Sequence, residues 1–445
     1  MSGMLSLGPG APRGEYYPFL DLESSILRSS PNSSVEPKLS SLYVGAKEGE
    51  EAQSQTKYDL VKALSYGDGT GCVELVDFMT EHVKKIHRPI YRDWQCILTG
   101  GNTLALDIAL RMFHKRGSFL LTEEYTYTSA LETAEPLGIH VIGIKMDNDG
   151  LIPSEMNYIL EHWSPEDRGG AKPQVLYTIP TGQNPTGVTA SRARREEIYA
   201  VAQKHDIYII EDDPYYYLQL QSTSELKEPY DFQEALNHLH LPASYLSIDT
   251  DGRVLRMDSF SKIIAPGVRM SWITASEQII ERVFRTHEVS LQSPSGFSQI
   301  LVYKLLSEQW GQVGFLNWIT GLQVLYGERR DALVLACQEY LPDDLVSWVT
   351  PTAGFFIWLK IDHLKHPLSQ QLEPSAIEDL IYVESIKERA LVLRGSWFRA
   401  EPSARMEEVN FRITFASSTF EEMELAVKRF GSALKKCFGN LEQSI

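Results

Sequence analysis

Cysteine is scarce in this sequence, and long apolar runs are missing. The four cysteines, Cys72, Cys96, Cys337 and Cys437, lie far apart and form no CxxC pair. We therefore expect neither a metal site nor a disulfide framework. No stretch approaches the roughly 18 apolar residues of a membrane span. The N-terminus also lacks the basic segment and apolar core of a secretion signal, so we expect a cytoplasmic protein.

Positive charge is also in short supply, since the formal net charge is −17 at pH 7. Nucleic-acid binding requires clustered Lys and Arg, so an extended nucleic-acid surface is excluded, whereas a local pocket for a small anion is not. The 445 residues, 43% of them hydrophobic and 23% charged, are enough for a large core and two domains.

Short apolar strands alternate with helical patterns between residues 57 and 308. The predicted strands are 94–98, 119–122, 139–144, 175–179, 207–211, 254–258 and 271–274, with helices at 103–114, 130–137 and 192–205. This pattern predicts an α/β fold whose mainly parallel sheet is covered on both faces.

The pattern changes after residue 308. A long helix at 309–340, strands at 355–361, 390–393 and 410–415, and a last helix at 420–437 predict a smaller α+β domain. We divide the chain into an N-terminal arm and linker (1–56) packing with the small domain, a large domain (57–308) and a small domain (309–445). The polar stretch 24–56 is interpreted as linker, and 219–243 as a surface insertion.

Lys262 follows a predicted core strand in the segment DSFSKIIAPGVR. A lysine becomes nucleophilic when it is partly desolvated beside other cations, and Schiff-base formation with an aldehyde needs that state. The hydroxyls of Ser259 and Ser261, with Arg269 seven residues after the lysine, are suited to hold a phosphate on the same molecule. A surface lysine in a loop is the alternative, and a lone lysine would favour it, but the adjacent hydroxyls and Arg269 favour the functional interpretation.

Three acidic residues, Glu211, Asp212 and Asp213, end another predicted core strand, with Tyr215 close behind. Carboxylates are costly to bury unless a cation meets them. A pyridinium nitrogen is a suitable partner, because a carboxylate keeps it protonated and the ring then withdraws electrons. A solvated acidic turn explains this stretch equally well.

Two glycine-containing loops complete the set of candidate segments. Prolines and glycines in PTGQNPTG (180–187) fix an irregular path, which would let Asn184 point its amide at a ring oxygen. TGGN (99–102) precedes a helix, so backbone N–H groups of Gly101 and Asn102 would form an anion site. A plain rigid turn and a chance glycine pair are the alternatives.

These segments together resemble the fold-type I aminotransferases of class I/II, in particular the fungal aromatic amino acid and 2-aminoadipate branch. The resemblance rests on TIPTGQNPTG, EDDPYYYLQL and MDSFSKIIAPGVRMSWIT, and it extends from LGPGAP to NFRITFA. It implies an aspartate aminotransferase-like fold with a seven-stranded large domain, the cofactor pyridoxal 5′-phosphate (PLP) and a homodimer.

The resemblance also implies a role for each matching residue. Lys262 would form the Schiff base and then move the proton between the substrate Cα and the cofactor C4′. Asp212 would pair with the pyridine nitrogen, since Asp212 and Tyr215 match the family spacing. The other assignments are Asn184 and Tyr215 to the ring hydroxyl oxygen, Tyr127 to the ring face, Gly101, Asn102, Ser259, Ser261 and Arg269 to the phosphate, and Tyr66 to the neighbouring subunit's phosphate.

Substrate contacts are implied in the same way. Arg412 matches the arginine that binds the substrate carboxylate, a planar group that suits a guanidinium fork, and Asn184 would assist. Arg13 and Tyr16 follow the LGPGAP segment, which resembles a part of the family that lies near the substrate pocket. The chain starts almost at this segment, without the longer leader usual in the branch.

The implied reaction transfers the amino group of Phe, Tyr or Trp to a 2-oxo acid such as 2-oxoglutarate, in catabolism or secondary metabolism. A 2-aminoadipate or kynurenine aminotransferase stays open, as does a PLP-dependent lyase, such as a C–S lyase, with the same cofactor residues. A non-enzymatic PLP-sensing regulator is disfavoured because no basic DNA-binding module fits before Leu5.

Overall fold

The computed structural model describes residues 10–27, 39–45, 58–221 and 231–439. Its N-terminal residues form a two-stranded sheet. Strands β1 (Asp21–Leu27) and β2 (Leu39–Gly45) are antiparallel over their whole length. Alternate residues of β2, Leu42 and Val44, are buried beside helix α1 (Leu60–Leu64). The linker interpretation is therefore wrong for 24–27 and 39–45, because a Ser-rich composition hid the alternation. Residues 28–38 and 46–56 of the linker and 5–9 of the arm lie outside the described ranges.

A seven-stranded sheet occupies the centre of the large domain. Its elements in chain order are α2 (Val73–Ile86), β3 (Trp94–Thr99), α3 (Asn102–Phe113), β4 (Phe119–Glu123), α4 (Thr128–Leu137), β5 (His140–Ile144), the short pair β6 (Met146–Asp147) and β7 (Gly150–Leu151), α5 (Pro153–Glu161), α6 (Pro165–Arg168), β8 (Val175–Thr178), α7 (Arg192–His205), β9 (Tyr208–Asp212), α8 (Phe232–His238), α9 (Tyr245–Ile248), β10 (Val254–Ser259), β11 (Ser271–Ser276) and α10 (Glu277–Val289).

The strand order of this sheet is β3-β11-β10-β9-β8-β4-β5. Strand β11 runs antiparallel to both of its neighbours, and the other pairs are parallel. Every residue of β4, β8 and β10 is buried, as expected for strands covered by helices on both faces. The predicted α/β fold with a mainly parallel sheet is confirmed. The parallel strands direct their carboxyl ends to one edge, where ligands bind in such sheets.

The second sheet has four antiparallel strands in the order β12-β13-β15-β14. The remaining elements in chain order are α11 (Gly296–Tyr303), a π-helical segment Lys304–Trp310, α12 (Gly311–Tyr340), β12 (Val346–Ser347), β13 (Phe356–Ile361), α13 (Pro374–Lys387), β14 (Leu393–Arg394), β15 (Val409–Thr414) and α14 (Phe420–Phe438). The strand predicted at 390–393 begins only at Leu393, because Arg389 turns the chain with φ +61°.

The stretch 219–243 differs from the predicted surface insertion in its second half. Helix α8 packs against α12, and Ala235 and Leu239 are fully buried. Residues 222–230 lie outside the described ranges. Polar residues dominate the exposed face of α8, which is why composition alone suggested a loop. No helix among the described residues is both long enough and apolar enough to cross a membrane.

Candidate active site

A cavity of about 350 Å³ lies where the carboxyl ends of the parallel strands approach β13 and β15. Its walls come from the start of α3, the loop after β8, the end of β9 and the loop after β10. The residues singled out in the sequence that line it are Asn102, Tyr127, Asn184, Asp212, Tyr215, Ser259, Ser261, Lys262, Arg269 and Arg412. The structure therefore brings together side chains separated by up to 310 positions in the chain.

Lys262 lies on a tight turn that follows β10. Ile264 N–H donates to the carbonyl of Phe260 at 2.8 Å, which closes the turn around the lysine. Burial, and then the nearby charge of Arg269, lower the pKa of Lys262 below its ordinary value. A lower pKa leaves more neutral amine at physiological pH, and the neutral amine is the nucleophile and base.

Asp212 ends β9 and is buried at the cavity wall. Its Oδ1 accepts a hydrogen bond of 2.7 Å from Asn102 Nδ2, and its Oδ2 accepts one of 2.8 Å from the Tyr177 hydroxyl. Burial raises the pKa of Asp212, and these two bonds oppose the rise. Asp212 forms no ion pair with any described residue, so its carboxylate is suited to a cationic group of a ligand.

The acidic neighbours of Asp212 point to the other face of the sheet, because side chains alternate along a strand. Nη1 of Arg256 lies 2.9 Å from Glu211 and 3.2 Å from Asp213, and its Nη2 lies 2.7 Å from Asp258. All four side chains are buried. Glu211 and Asp213 thus have a cationic partner within the fold, and Asp212 alone of the three faces the cavity.

Hydrogen-bond donors gather where the first turn of α3 meets the loop after β10. Gly101 has φ +99°, which favours glycine, and a Cβ there would lie 2.4 Å from Nη2 of Arg269, so any side chain at this position would displace the guanidinium. Nη1 of Arg269 also lies 3.5 Å from the Ser261 hydroxyl oxygen. A guanidinium, a serine hydroxyl and a helix N-terminus together favour a phosphate.

Arg412 reaches the cavity from β15. Its Nη1 donates to Oδ1 of Asn184 at 2.6 Å, and its guanidinium lies 4.2 Å from the ring centroid of Phe356 and 4.7 Å from that of Phe398. Burial lowers the pKa of Arg412 to about 10. No carboxylate of the described ranges pairs with it, so this partly buried cation is suited to the carboxylate of a ligand.

The loop that carries Asn184 has a fixed path. Gln183 N–H donates to Val188 O at 2.8 Å, and the Gln183 side chain donates to Tyr125 O at 2.7 Å. The Asn184–Pro185 peptide is cis. A Cβ on Gly187 would lie 2.5 Å from the carbonyl oxygen of Phe356, so a glycine there lets the loop touch β13.

Three side chains that were assigned by resemblance do not line the cavity of the single chain. Tyr66 is 73% exposed and lines a separate groove beside Ser293. Arg13 and Tyr16 are exposed, and Arg13 pairs with Glu15 at 2.8 Å. The predicted role of Tyr66 at a neighbouring subunit, and those of Arg13 and Tyr16 near the substrate, stay predictions.

One residue at the site was missed by the sequence interpretation. Tyr177 lies in β8, whose residues Val175–Thr178 are all buried, and the sequence predicted only a strand there. A phenol inside a fully buried strand needs a hydrogen-bond partner. This requirement for a partner was the only sign in the sequence that Tyr177 has a polar contact. That the partner is Asp212 follows from the pairing of β8 with β9.

Comparison with known proteins identifies the family. The model of the family aminotransferase class I and II matches residues 46–430. The chain belongs to this family. The predicted enzyme class, a PLP-dependent aminotransferase, is thereby confirmed.

Named relatives of this aminotransferase cover nearly its whole length. Aminotransferase swnA of Arthroderma benhamiae is 41% identical over 98% of this chain and 86% of the relative. An aromatic amino acid aminotransferase of Schizosaccharomyces pombe is also 41% identical, over 98% of this chain and 92% of the relative. The crystal structure of aminotransferase Aro8 from Candida albicans has a TM-score of 0.89 at 36% identity and covers 99% of this chain and 94% of that chain. The predicted branch and the fold-type I architecture are confirmed.

The cavity of this aminotransferase fits PLP in three chemical respects. PLP has a basic ring nitrogen, an aldehyde and a phosphate, and the cavity offers an unpaired buried carboxylate in Asp212, an amine of lowered pKa in Lys262, and a cluster of anion donors around Arg269. A pocket built for a neutral ligand would have no need of all three features.

Proposed function

We propose that this aminotransferase transfers the amino group of an aromatic L-amino acid, Phe, Tyr or Trp, to a 2-oxo acid, 2-oxoglutarate, giving an aryl pyruvate and glutamate. The observation that carries the proposal is that Lys262, Asp212 and Arg412 line one cavity. The aromatic substrate class is supported by the Schizosaccharomyces pombe relative, which is named for it.

Lys262 moves the proton in this proposal. Bound PLP supplies a ring that withdraws the electrons left on the substrate Cα when its proton departs. The Lys262 amine accepts the Cα proton and returns it at C4′, which requires a neutral amine near pH 7. The lowered pKa of Lys262 supports this role.

Orientation comes from residues around the lysine. Arg412 binds the substrate carboxylate with two N–H donors, and the aromatic faces of Phe356 and Phe398 keep water from its guanidinium. Asp212 would keep the ring nitrogen of bound PLP protonated, Tyr127 would contact the face of the ring, and Asn184 and Tyr215 would hydrogen-bond the ring hydroxyl oxygen. The phosphate of PLP would be held by Gly101, Asn102, Ser259, Ser261 and Arg269. The Tyr66 hydroxyl of a second subunit would complete this phosphate site.

The test follows both half-reactions separately. PLP-loaded protein is mixed with Phe, Tyr or Trp, and the visible absorbance of the cofactor is followed together with the release of aryl pyruvate. Adding 2-oxoglutarate should restore the absorbance and yield one glutamate for each aryl pyruvate released. Lys262→Ala serves as the inactive control.

Two outcomes would overturn the proposal in different ways. A higher kcat/KM for 2-aminoadipate or kynurenine than for Phe, Tyr and Trp would replace the substrate class while leaving transamination intact. Formation of ammonia with pyruvate or a thiol, without recovery of the cofactor by 2-oxoglutarate, would indicate a lyase.

A further inference from the structure

Tyr177 is a buried phenol that none of the roles above uses. It is 0% exposed, in the middle of the large sheet, and its hydroxyl donates to Oδ2 of Asp212 at 2.8 Å. Asn102 Nδ2 occupies the other carboxylate oxygen at 2.7 Å. Asp212 is therefore held at both oxygens by neutral donors, and neither donor neutralises its charge.

The surroundings keep Tyr177 in its donor form. Burial, followed by the charge of Asp212 itself, raises the pKa of Tyr177 well above its ordinary value. Other titratable or charged side chains surround this pair: Glu123 at the end of β4, Tyr127 at the start of α4, Tyr215 after β9 and Lys262 after β10, with Arg256 and Asp258 of β10 acting on it from the opposite face of the sheet. The hydroxyl thus stays protonated across the physiological pH range.

We propose that Tyr177 is a positioning residue that keeps Asp212 ionised and aimed at the ring nitrogen of the cofactor. This inference rests on the assignment of Asp212 in the proposed function. A donor to a carboxylate stabilises its ionised form and lowers its basicity. Asp212 then leaves the shared proton on the ring nitrogen, where it is needed to withdraw electrons.

Loss of the Tyr177 hydroxyl should change how PLP binding depends on pH. Without the Tyr177 donor, the pKa of Asp212 rises, so Asp212 takes up a proton at a higher pH as the solution is acidified. A protonated Asp212 no longer attracts a protonated ring nitrogen. Cofactor release on acidification should therefore begin at a higher pH.

The experiment compares Tyr177→Phe with Tyr245→Phe in the full-length chain. Tyr245 is also fully buried, but its hydroxyl has no hydrogen-bond partner among the described residues. Both variants retain the ring, so the core stays filled. The readouts are PLP affinity as a function of pH and the ¹⁵N NMR shift of the labelled ring nitrogen, neither of which depends on turnover.

Tyr177→Phe should release PLP at a pH about one unit higher than the wild type and bind it about tenfold more weakly near that pH. Its ¹⁵N shift should move toward that of an unprotonated ring nitrogen, while Tyr245→Phe behaves as the wild type. Equal weakening at every pH, with an unchanged ¹⁵N shift, would indicate a packing role and overturn the inference.

Asp212→Asn separates this inference from the proposed function. If Asp212→Asn leaves PLP affinity and the ¹⁵N shift unchanged, the assignment of Asp212 fails first. If Asp212→Asn changes both but Tyr177→Phe matches Tyr245→Phe, only the inference on Tyr177 fails. Tyr177→Phe should add no further change in the Asp212→Asn background, because it acts through that carboxylate.

Discussion

Arg412 and Asn184 are joined by a hydrogen bond of 2.6 Å, although they lie 228 positions apart in the chain. Arg412 belongs to β15, and Asn184 to the loop after β8. The residue proposed to bind the substrate carboxylate is thus in direct contact with the residue proposed to bond the cofactor ring oxygen.

Replacing Arg412 by Lys should weaken substrate use far more than it weakens PLP binding. A lysine keeps the charge but loses the planar pair of donors. Loss of one charged hydrogen bond costs roughly 2–3 kcal/mol, which corresponds to a decrease of about 30- to 150-fold in kcat/KM. Steady-state kinetics with Phe, together with PLP titration, measure the two effects.

The matched control for this change is Arg429→Lys. Arg429 is on α14, away from the cavity, and donates only to the carbonyl of Arg389 among the described contacts. The Arg429→Lys variant should therefore have the wild-type kcat/KM. Equal kinetics for Arg412→Lys and the wild type would contradict the carboxylate assignment.

Gly101→Ala should lower PLP affinity through a steric effect. The added Cβ would press on the Arg269 guanidinium, and alanine disfavours φ +99° by about 1–2 kcal/mol. We expect at least about tenfold weaker binding of PLP, measured by absorbance titration of the cofactor-free protein. Gly267→Ala, with open space around its Cβ position, is the control and should bind PLP normally. The phosphate assignment fails if both variants bind alike.

Tyr66 offers a test of the proposed dimer that uses two defective chains. Its side chain is exposed in one chain and lies outside the Lys262 cavity. Lys262→Ala subunits carry an intact Tyr66, and Tyr66→Ala subunits carry an intact Lys262. Refolding the two variants together should therefore give more activity than the sum of the two alone. No gain, with mixed dimers shown by native mass spectrometry, would contradict the contribution of Tyr66 across subunits.

His82 should make the free energy of unfolding fall in acid. It is fully buried between Gln312 and Tyr217, and burial lowers its pKa to about 4. The unfolded chain binds a proton near the ordinary pKa and the folded chain does not, so stability is lost as the pH falls from about 6.5 toward 4, on the order of 3 kcal/mol in total.

The His82→Gln variant tests this origin of the acid sensitivity. It should be less stable than the wild type at pH 7 but should lose less of its unfolding free energy between pH 6.5 and 4. Urea unfolding of the PLP-free chain at several pH values measures the difference. His140→Gln, at an exposed position, should keep the wild-type pH dependence. Parallel pH curves for His82→Gln and the wild type would contradict the assignment.

The large sheet could be predicted from the sequence because buried parallel strands are continuous apolar runs. Each of its seven strands lies within two residues of the predicted range. The predicted strands also placed Lys262 and Asp212 near each other, because both residues follow parallel strands whose carboxyl ends share one edge of the sheet. The position of Arg412 in the site was predicted only through the resemblance, because it lies 150 positions after Lys262 in the chain.

Contacts that depend on strand pairing could not be predicted. Arg256 neutralises Glu211 because β10 and β9 are in register at those positions. Tyr177 reaches Asp212 through the neighbouring pair of strands, β8 and β9. The pairing of β1 with β2 was hidden as well, since only Leu42 and Val44 of β2 are buried.

The most direct test of the account is to trap the cofactor on the protein by borohydride reduction and to map the modified peptide by mass spectrometry. Reduction of PLP-loaded protein should place the pyridoxyl group on Lys262. Incubation with Phe before reduction should abolish the label, because the cofactor then carries the amino group, and 2-oxoglutarate should restore it. A label on another lysine, or a label on Lys262 that Phe does not remove, would contradict the account.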